Sequence, residues 1–227
     1  MMYMSEVRLL RAKLRERMSA CGGVHGGNLY DAHQMLWRLF ADAPDRRRDF
    51  LFCETAPGAY ITVSARSPED RDGIWDIHVK PYAPVLRQGE HLAFFLRANA
   101  VIKRTDATGR QQRHDIVQDA RKRLMAEGVA PAALPSRQEL AQREGCNWLR
   151  RREKLLGLKC EEASLQVSER IVGAFRKRRT AATVAMFDLQ GRAYVTDVDA
   201  LLRTLFKGVG PSKSFGCGLL LVRRDCA

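Results

Sequence analysis

Leu29-Tyr30-Asp31-Ala32-His33-Gln34-Met35-Leu36-Trp37-Arg38-Leu39-Phe40, then Phe50-Leu51-Phe52-Cys53, then Tyr60-Ile61-Thr62-Val63-Ser64-Ala65, hold the change of hydrophobic period that decides the fold. At 100° per residue, Leu29, Ala32, Leu36, Leu39 and Phe40 share one helical face, with Asn28 placed to cap the helix. Tyr60 to Ala65 alternates as a half-buried strand does, and Pro57-Gly58 supplies the turn that pairs it with Phe50–Cys53. Upstream, Val7–Leu10 following Met2–Met4 reads as a strand. The segment Ser19–Asn28 reads as a loop broken by Gly22, Gly23, Gly26 and Gly27, and Ile74–Val79 is one more short strand. Strand, helix, strand, strand, then a poorly defined stretch and a strand is, in that order, the ferredoxin-like pattern.

A second copy follows. His91–Ala100 is a strong strand, and Gln118–Met125 and Arg137–Leu156 are helical. Leu165–Phe175 and Ala181–Leu189 form two strands around a basic tip. Asp197 caps a helix in which Val198, Leu201, Leu202 and Leu205 recur at helical spacing, Gly208 closes it, and Phe215–Val222 is a last apolar strand. The expected fold class is α+β: two tandem ferredoxin-like (RRM-like) βαββαβ domains, residues 1–88 and 89–227, with the boundary near Gly89.

The charge is lopsided. Of 227 residues 39 are Lys or Arg and 26 are Asp or Glu, and Arg outnumbers Lys by 30 to 9. Up to Ala98 the balance is +2, and from Asn99 onward it is +11. Clustered cations gain affinity for a polyanion by displacing its counterions, and arginine forks suit phosphates. No apolar run approaches the roughly 20 residues of a spanning helix, and Met1–Arg17 lacks a signal-peptide core. The six cysteines form no C-x-x-C pair, which argues against a disulfide or zinc framework and fits a reducing cytoplasm. Cys21 and His25 lie four apart, with no second ligand pair at zinc-like spacing.

Gly208-Val209-Gly210-Pro211-Ser212-Lys213-Ser214-Phe215-Gly216-Cys217-Gly218 is the most specific local feature. Four glycines frame one Lys and two Ser between a helix and a strand, and such a loop can bring backbone N–H groups against a phosphate. It lacks the Walker A order of strand, G-x-x-x-x-G-K-[ST] and helix. The bland reading, a tight helix-to-strand turn, explains one or two of the glycines. A second charged feature, Arg176-Lys177-Arg178-Arg179, sits at a hairpin tip, where a charge run is ordinarily just solvated. Arg150 to Arg152 read as decoration of a solvent-facing helix, with an extension of the basic track as the alternative.

The glycine-rich ending resembles that of the CasE family, the repeat-processing endoribonucleases of the type I-E CRISPR Cascade complex. Leu29–His33 with Leu36–Phe40, Arg48–Phe52 and Phe95–Asn99 resemble further stretches of that family, in its order and across nearly the whole chain. The resemblance implies two tandem ferredoxin-like domains and metal-independent cleavage of CRISPR repeat RNA below its stem-loop. A ribose 2′-hydroxyl would attack the adjacent phosphate, leaving a 2′,3′-cyclic phosphate and a 5′-hydroxyl, with no cofactor. It assigns catalysis to His33 and Tyr30, three apart on one helix. RNA contacts would come from Arg38, the tip Arg176–Arg179, and Gly208, Gly210, Ser212, Lys213, Ser214, Gly216 and Gly218 of the loop. The partners implied are the repeat stem-loop and other Cascade subunits, in the cytoplasm and without a membrane. The alternative is a non-catalytic RNA-binding subunit. His25, in a glycine-rich loop particular to this chain, competes with His33 for the catalytic role.

Overall fold

β1 (Tyr3–Leu9) lies between β3 (Ala59–Ser64) and β4 (Trp75–Pro81), antiparallel to both, and β2 (Phe50–Ala56) flanks β3. The strand order is therefore β2-β3-β1-β4, with α1 (Leu29–Arg38) connecting the two parallel strands that β3 separates. Alternation along each strand sorts its side chains to two faces. Val7, Phe50, Phe52 and Tyr60 pack under Leu36, Leu39 and Phe40 of the helical segment, while Leu51, Cys53 and Val63 point to the opposite side. The structure, a computed structural model, describes residues 1–13, 29–41, 49–105, 109–177 and 180–225, with backbone alone for 29–33 and 170–184.

No helix forms between β3 and β4. Pro68 and Gly73 bracket a turn in which the Asp70 carboxylate accepts hydrogen bonds from the N–H groups of Asp72, Gly73 and Trp75, at 3.1, 2.9 and 2.9 Å. A side chain that satisfies three nearby backbone donors in this way competes with helix.

The second sheet repeats the order of the first. β11 (Leu220–Arg224), β5 (His91–Ala98) and β10 (Thr180–Val195) lie side by side, and β9 (Gln166–Lys177) and β8 (Leu158–Cys160) share the outer edge of β10. One face is covered by α2 (Ile116–Ala126), α3 (Arg137–Arg150) and α5 (Val198–Lys207) around Leu92, Phe94, Leu96, Leu140, Leu189 and Leu201. Two ferredoxin-like sheets in tandem are thus present, as the periodicity indicates.

The details depart from the sequence reading in four places. Val101–Thr105 (β6) and Gln111–Asp115 (β7) form a hairpin that the polar run 111–115 conceals. The helix expected over Arg137–Leu156 is two pieces, because the chain turns at Arg151-Arg152 before the short α4 (Glu153–Leu156), closed by left-handed Gly157. The last strand begins at Leu220, since Lys213–Phe215 forms a 3-10 turn and Gly216 and Gly218 are left-handed. Third among the arginines expected on a solvent-facing helix, Arg152 is half-buried, its guanidinium 3.8 Å from the Trp148 ring centroid. The capping expectation holds: Asp197 accepts from Ala200 N–H at 2.9 Å, and Gly208 N–H donates to Thr204 at 2.8 Å. Asn28, the Ser19–Asn28 loop and Arg46–Arg48 lie outside the described residues. Among the described residues no helix is long and apolar enough to cross a membrane.

The faces left uncovered by helices meet each other in part. Leu51, Cys53 and Val63 of the first sheet pack with Phe95 and Leu221 of the second, with Leu219 just before β11, and with Phe206 of α5. Through this contact runs Arg97, whose side chain is 9% exposed. Its Nε and Nη2 donate to the Asp188 carboxylate on the neighbouring strand at 2.7 and 2.9 Å, and its Nη1 donates to the Glu54 carbonyl on β2 at 3.0 Å. Burial is the largest influence and disfavours the Arg97 charge, and the bonds to Asp188 together with the neighbouring Cys53 and Cys217 sulfurs more than offset it. Removing one member of a buried pair leaves the other unpaired, at a cost of about 3 kcal/mol or more. Asp188→Asn is therefore expected to lower unfolding stability by about 3 kcal/mol in urea titration. A change under about 0.5 kcal/mol would show the pair to be dispensable.

Candidate functional site

α1 is held at its C-terminal end by three donors from the β3–β4 connection. Arg66 Nη2 reaches the Phe40 carbonyl at 2.6 Å while the same guanidinium holds Asp49 at 2.9 and 3.0 Å. Glu69 N–H takes the Leu39 carbonyl at 2.9 Å, and Arg71 Nη1 approaches the Ala41 carbonyl at 3.4 Å. These fix the Leu39–Ala41 turn that carries the chain out of the helix. Below, the stacked rings of Phe40 and Phe50 (centroids 4.3 Å apart) and the contact of Trp37 with Phe50 seat the helix on β2. Tyr30 and His33 belong to this helix by backbone, and their side chains lie outside the described residues. Arg38 is exposed, with Nη1 3.5 Å from Asp72.

Past α5, the glycine-rich loop folds back against the same elements. Gly208, Gly210, Gly216 and Gly218 all have positive φ, and Ser212, at φ 61°, is the one non-glycine with positive φ among the described residues. Gly208 and Gly218 face one another: a Cβ on Gly208 would meet Leu51 at 2.8 Å and the Gly218 carbonyl at 2.9 Å, and one on Gly218 would meet the Val209 carbonyl at 2.4 Å. Val209 N–H bonds the Gly218 carbonyl at 2.8 Å, and Gly218 N–H bonds the Arg97 carbonyl at 2.7 Å. Close approach to β2 and β5 thus gives these glycines a packing reason independent of any ligand. The 3-10 turn Lys213–Phe215 rests on both α1 and β2. Lys213 Nζ donates to the Lys207 carbonyl at 2.6 Å, at the C-terminal end of α5 where a cation is favourable.

Topology brings the remaining cations to this end. β11 runs antiparallel to β5 with Leu220 opposite Leu96, so the loop before it lies beyond the Ala98 end of β5. β10 pairs with β5 only from Phe187, opposite Ala98, while its pairing with β9 continues to Thr180 opposite Lys177. The β9–β10 hairpin therefore projects past the same end as a two-stranded arm. Arg176 and Lys177 are at its tip by backbone, and Arg178 and Arg179 lie outside the described residues. The β6–β7 hairpin, with Lys103, Arg104 and Arg113, also leaves from this end.

The fold thus brings α1 and the Ser212–Ser214 turn together, and puts the arm at the same end of the second sheet. Sequence reasoning missed Arg97 as the tie between sheets and Arg66 as the anchor of α1. Arg97 carried a faint signal, a charged residue inside the apolar run Leu92–Ala98. His25 lies outside the described residues.

A tandem ferredoxin-like protein with a glycine-rich loop seated on the helix of its first sheet, and with basic hairpins at one end, is a plausible shape for gripping nucleic acid by shape and phosphate. The chain belongs to the CRISPR associated protein family, whose model matches residues 2–224. It is 31% identical over 225 residues to the CRISPR system Cascade subunit CasE of Escherichia coli, covering 96% of this chain and 98% of that protein. It is 30% identical over 217 residues to the CRISPR-associated endoribonuclease Cse3 of Thermus thermophilus, covering 86% and 90%. Among solved structures, CRISPR endoribonuclease Cse3 bound to a 19-nucleotide RNA superposes with a TM-score of 0.67 at 25% identity, covering 98% of this chain and all of that one. Cas6e of Escherichia coli superposes with a TM-score of 0.64 over 98% of this chain and all of that one, which again shows the shared fold.

The loop geometry separates its glycines. Gly218→Ala is expected to cost about 3 kcal/mol, from left-handed strain plus the clash with Val209. Gly210, exposed and with only the Asn99 carbonyl in ordinary contact, 4.0 Å from its Cβ position, is expected to cost about 1 kcal/mol as Ala. Urea unfolding of the two variants checks the order, and equal losses would refute the packing account.

Proposed function

We propose that this protein is a metal-independent endoribonuclease that cleaves CRISPR repeat RNA below its stem-loop and stays on the hairpin as a Cascade subunit in the cytoplasm. The observation that carries this reading is the end-to-end similarity to CasE and Cse3. The seating of the glycine-rich loop on α1 adds support. In this reading residues 1–88 form the cutting domain and 89–227 the gripping domain.

His33 moves the proton, as acid or base, because an imidazole holds both forms near neutral pH. The ribose 2′-hydroxyl gives up its proton as its oxygen bonds to phosphorus and the bond to the leaving 5′-oxygen breaks. That oxygen receives a proton, and the products are a 2′,3′-cyclic phosphate and a 5′-hydroxyl. Tyr30 orients the phosphate or the 2′-hydroxyl, since a phenol with a pKa of about 10 is a poor base. Arg38, Lys213, Ser212, Ser214 and the loop glycines Gly208, Gly210, Gly216 and Gly218 hold the backbone near the cut. The arm tip, Arg176, Lys177, Arg178 and Arg179, grips the stem, reading phosphates and shape because the A-form major groove is narrow.

His33→Ala is expected to slow single-turnover cleavage of labelled repeat RNA by about 100-fold or more while stem-loop binding survives. Unchanged cleavage would remove His33 from the mechanism. EDTA is expected to leave the rate unaltered, and strong inhibition would point to a metal nuclease.

A further inference from the structure

Between the β6–β7 hairpin, the C-terminal end of α3 and the glycine-rich loop lies an open pocket of about 720 Å³. Lys103 and Arg113 come from the hairpin, Arg151 and Arg152 from the turn after α3, and Pro211 from the loop. Its one carboxylate, Glu144, is buried and already bonded by Arg123 at 3.3 Å and Arg143 at 3.1 Å. Among the described residues no carboxylate pairs with Lys103, Arg113, Arg151 or Arg152.

One further donor beside the pocket lacks an acceptor. Trp148 lines the pocket, is 3% exposed, and its Nε1–H has no hydrogen-bond partner among the described residues. The Arg152 guanidinium lies over the Trp148 ring, with Nη1 bonded to the Trp148 carbonyl at 2.9 Å. Burial, and after it the neighbouring Arg151 charge, pull its pKa below the ordinary value. Elsewhere in this chain buried and half-buried arginines hold carboxylates, as Arg97 holds Asp188 and Arg66 holds Asp49. Here four cations line one cavity without such a counterion, beside a buried indole N–H with no acceptor among the described residues, and an unsatisfied buried donor is costly to leave so.

We propose that this pocket is a second RNA-backbone site, a seat for phosphodiester groups of the repeat RNA on the side of the glycine-rich loop away from α1. The inference rests on the RNA-processing reading above. Pro211 gives it its place, since the residue that walls the pocket directly precedes the Ser212–Ser214 turn. Arginine forks match phosphate oxygens bidentately, and a stacked, immobilised Arg152 loses little freedom in binding one.

The test is binding of the repeat RNA, made uncleavable by a 2′-deoxy substitution at its mapped cut site, across a salt series. Arg113→Ala with Arg151→Ala, both exposed side chains, is expected to weaken binding about tenfold and to lower the slope of log affinity against log salt by about 2. The control pair Arg8→Ala with Lys80→Ala, on the first sheet, is expected to leave both unchanged. Equal weakening by the two pairs, or no change in slope for the pocket pair, overturns the site while RNA binding by the unaltered protein stands. Stabilisation of the unaltered protein by millimolar inorganic phosphate that the pocket pair abolishes, with RNA binding untouched, would assign the pocket to a free anion and overturn it as well. Failure of the unaltered protein to bind repeat RNA brings down the function reading, and this site with it.

Discussion

One buried guanidinium holds the two halves of this molecule in register. Arg97 is paired with Asp188 inside its own sheet, donates to a β2 carbonyl of the other sheet, and through its own carbonyl takes the N–H of Gly218. Hydrophobic contact between the sheets, through Leu51, Cys53, Leu219 and Phe95, is non-directional and would tolerate sliding. Directed hydrogen bonds from a charged group do not. The position of the glycine-rich loop against β2, and of α1 above it, follows from that fixed crossing.

The thiols beside this crossing show how dry it is. Cys53 and Cys217 are fully buried, and burial pushes the Cys217 thiol up to about 12. Neither is a reactive sulfur, so the cysteines here serve as small apolar residues. In so dry a setting an unpaired arginine would be expensive, which is why Asp188 and the Glu54 carbonyl satisfy it together.

The local order of the chain was legible because each element obeys its own period. The switch from helical spacing in Leu29–Phe40 to alternation in Tyr60–Ser64, the Asp197 cap and the Gly208 stop all survive in the fold. What stayed hidden depends on partners distant in sequence. Gln111–Asp115 looks like a polar loop, and becomes a strand only because Val101–Thr105 lies opposite it. Arg152 looks like one of three solvated arginines until the helix turns and puts it over Trp148. The glycines of the 208–218 loop suggested a ligand, yet the nearest neighbours of Gly208, Gly216 and Gly218 are Leu51, Phe52 and Val209. The pairing of α1 with that loop, which brings the candidate site together, spans most of the chain and leaves no local trace.

The β9–β10 arm has one irregularity, where Val172 opposes Val184 but Phe175 opposes Ala182, so that Gly173-Ala174 on β9 face Thr183 alone. A bulge of this kind adds twist and breaks the strict inside–outside alternation of a ladder. On the sheet side, register is locked by Asp188 against Arg97. On the tip side, the bulge lets the arm's faces be set separately. One strand, β10, can in this way keep the crossing between sheets constant while its far end is turned to suit a differently shaped surface.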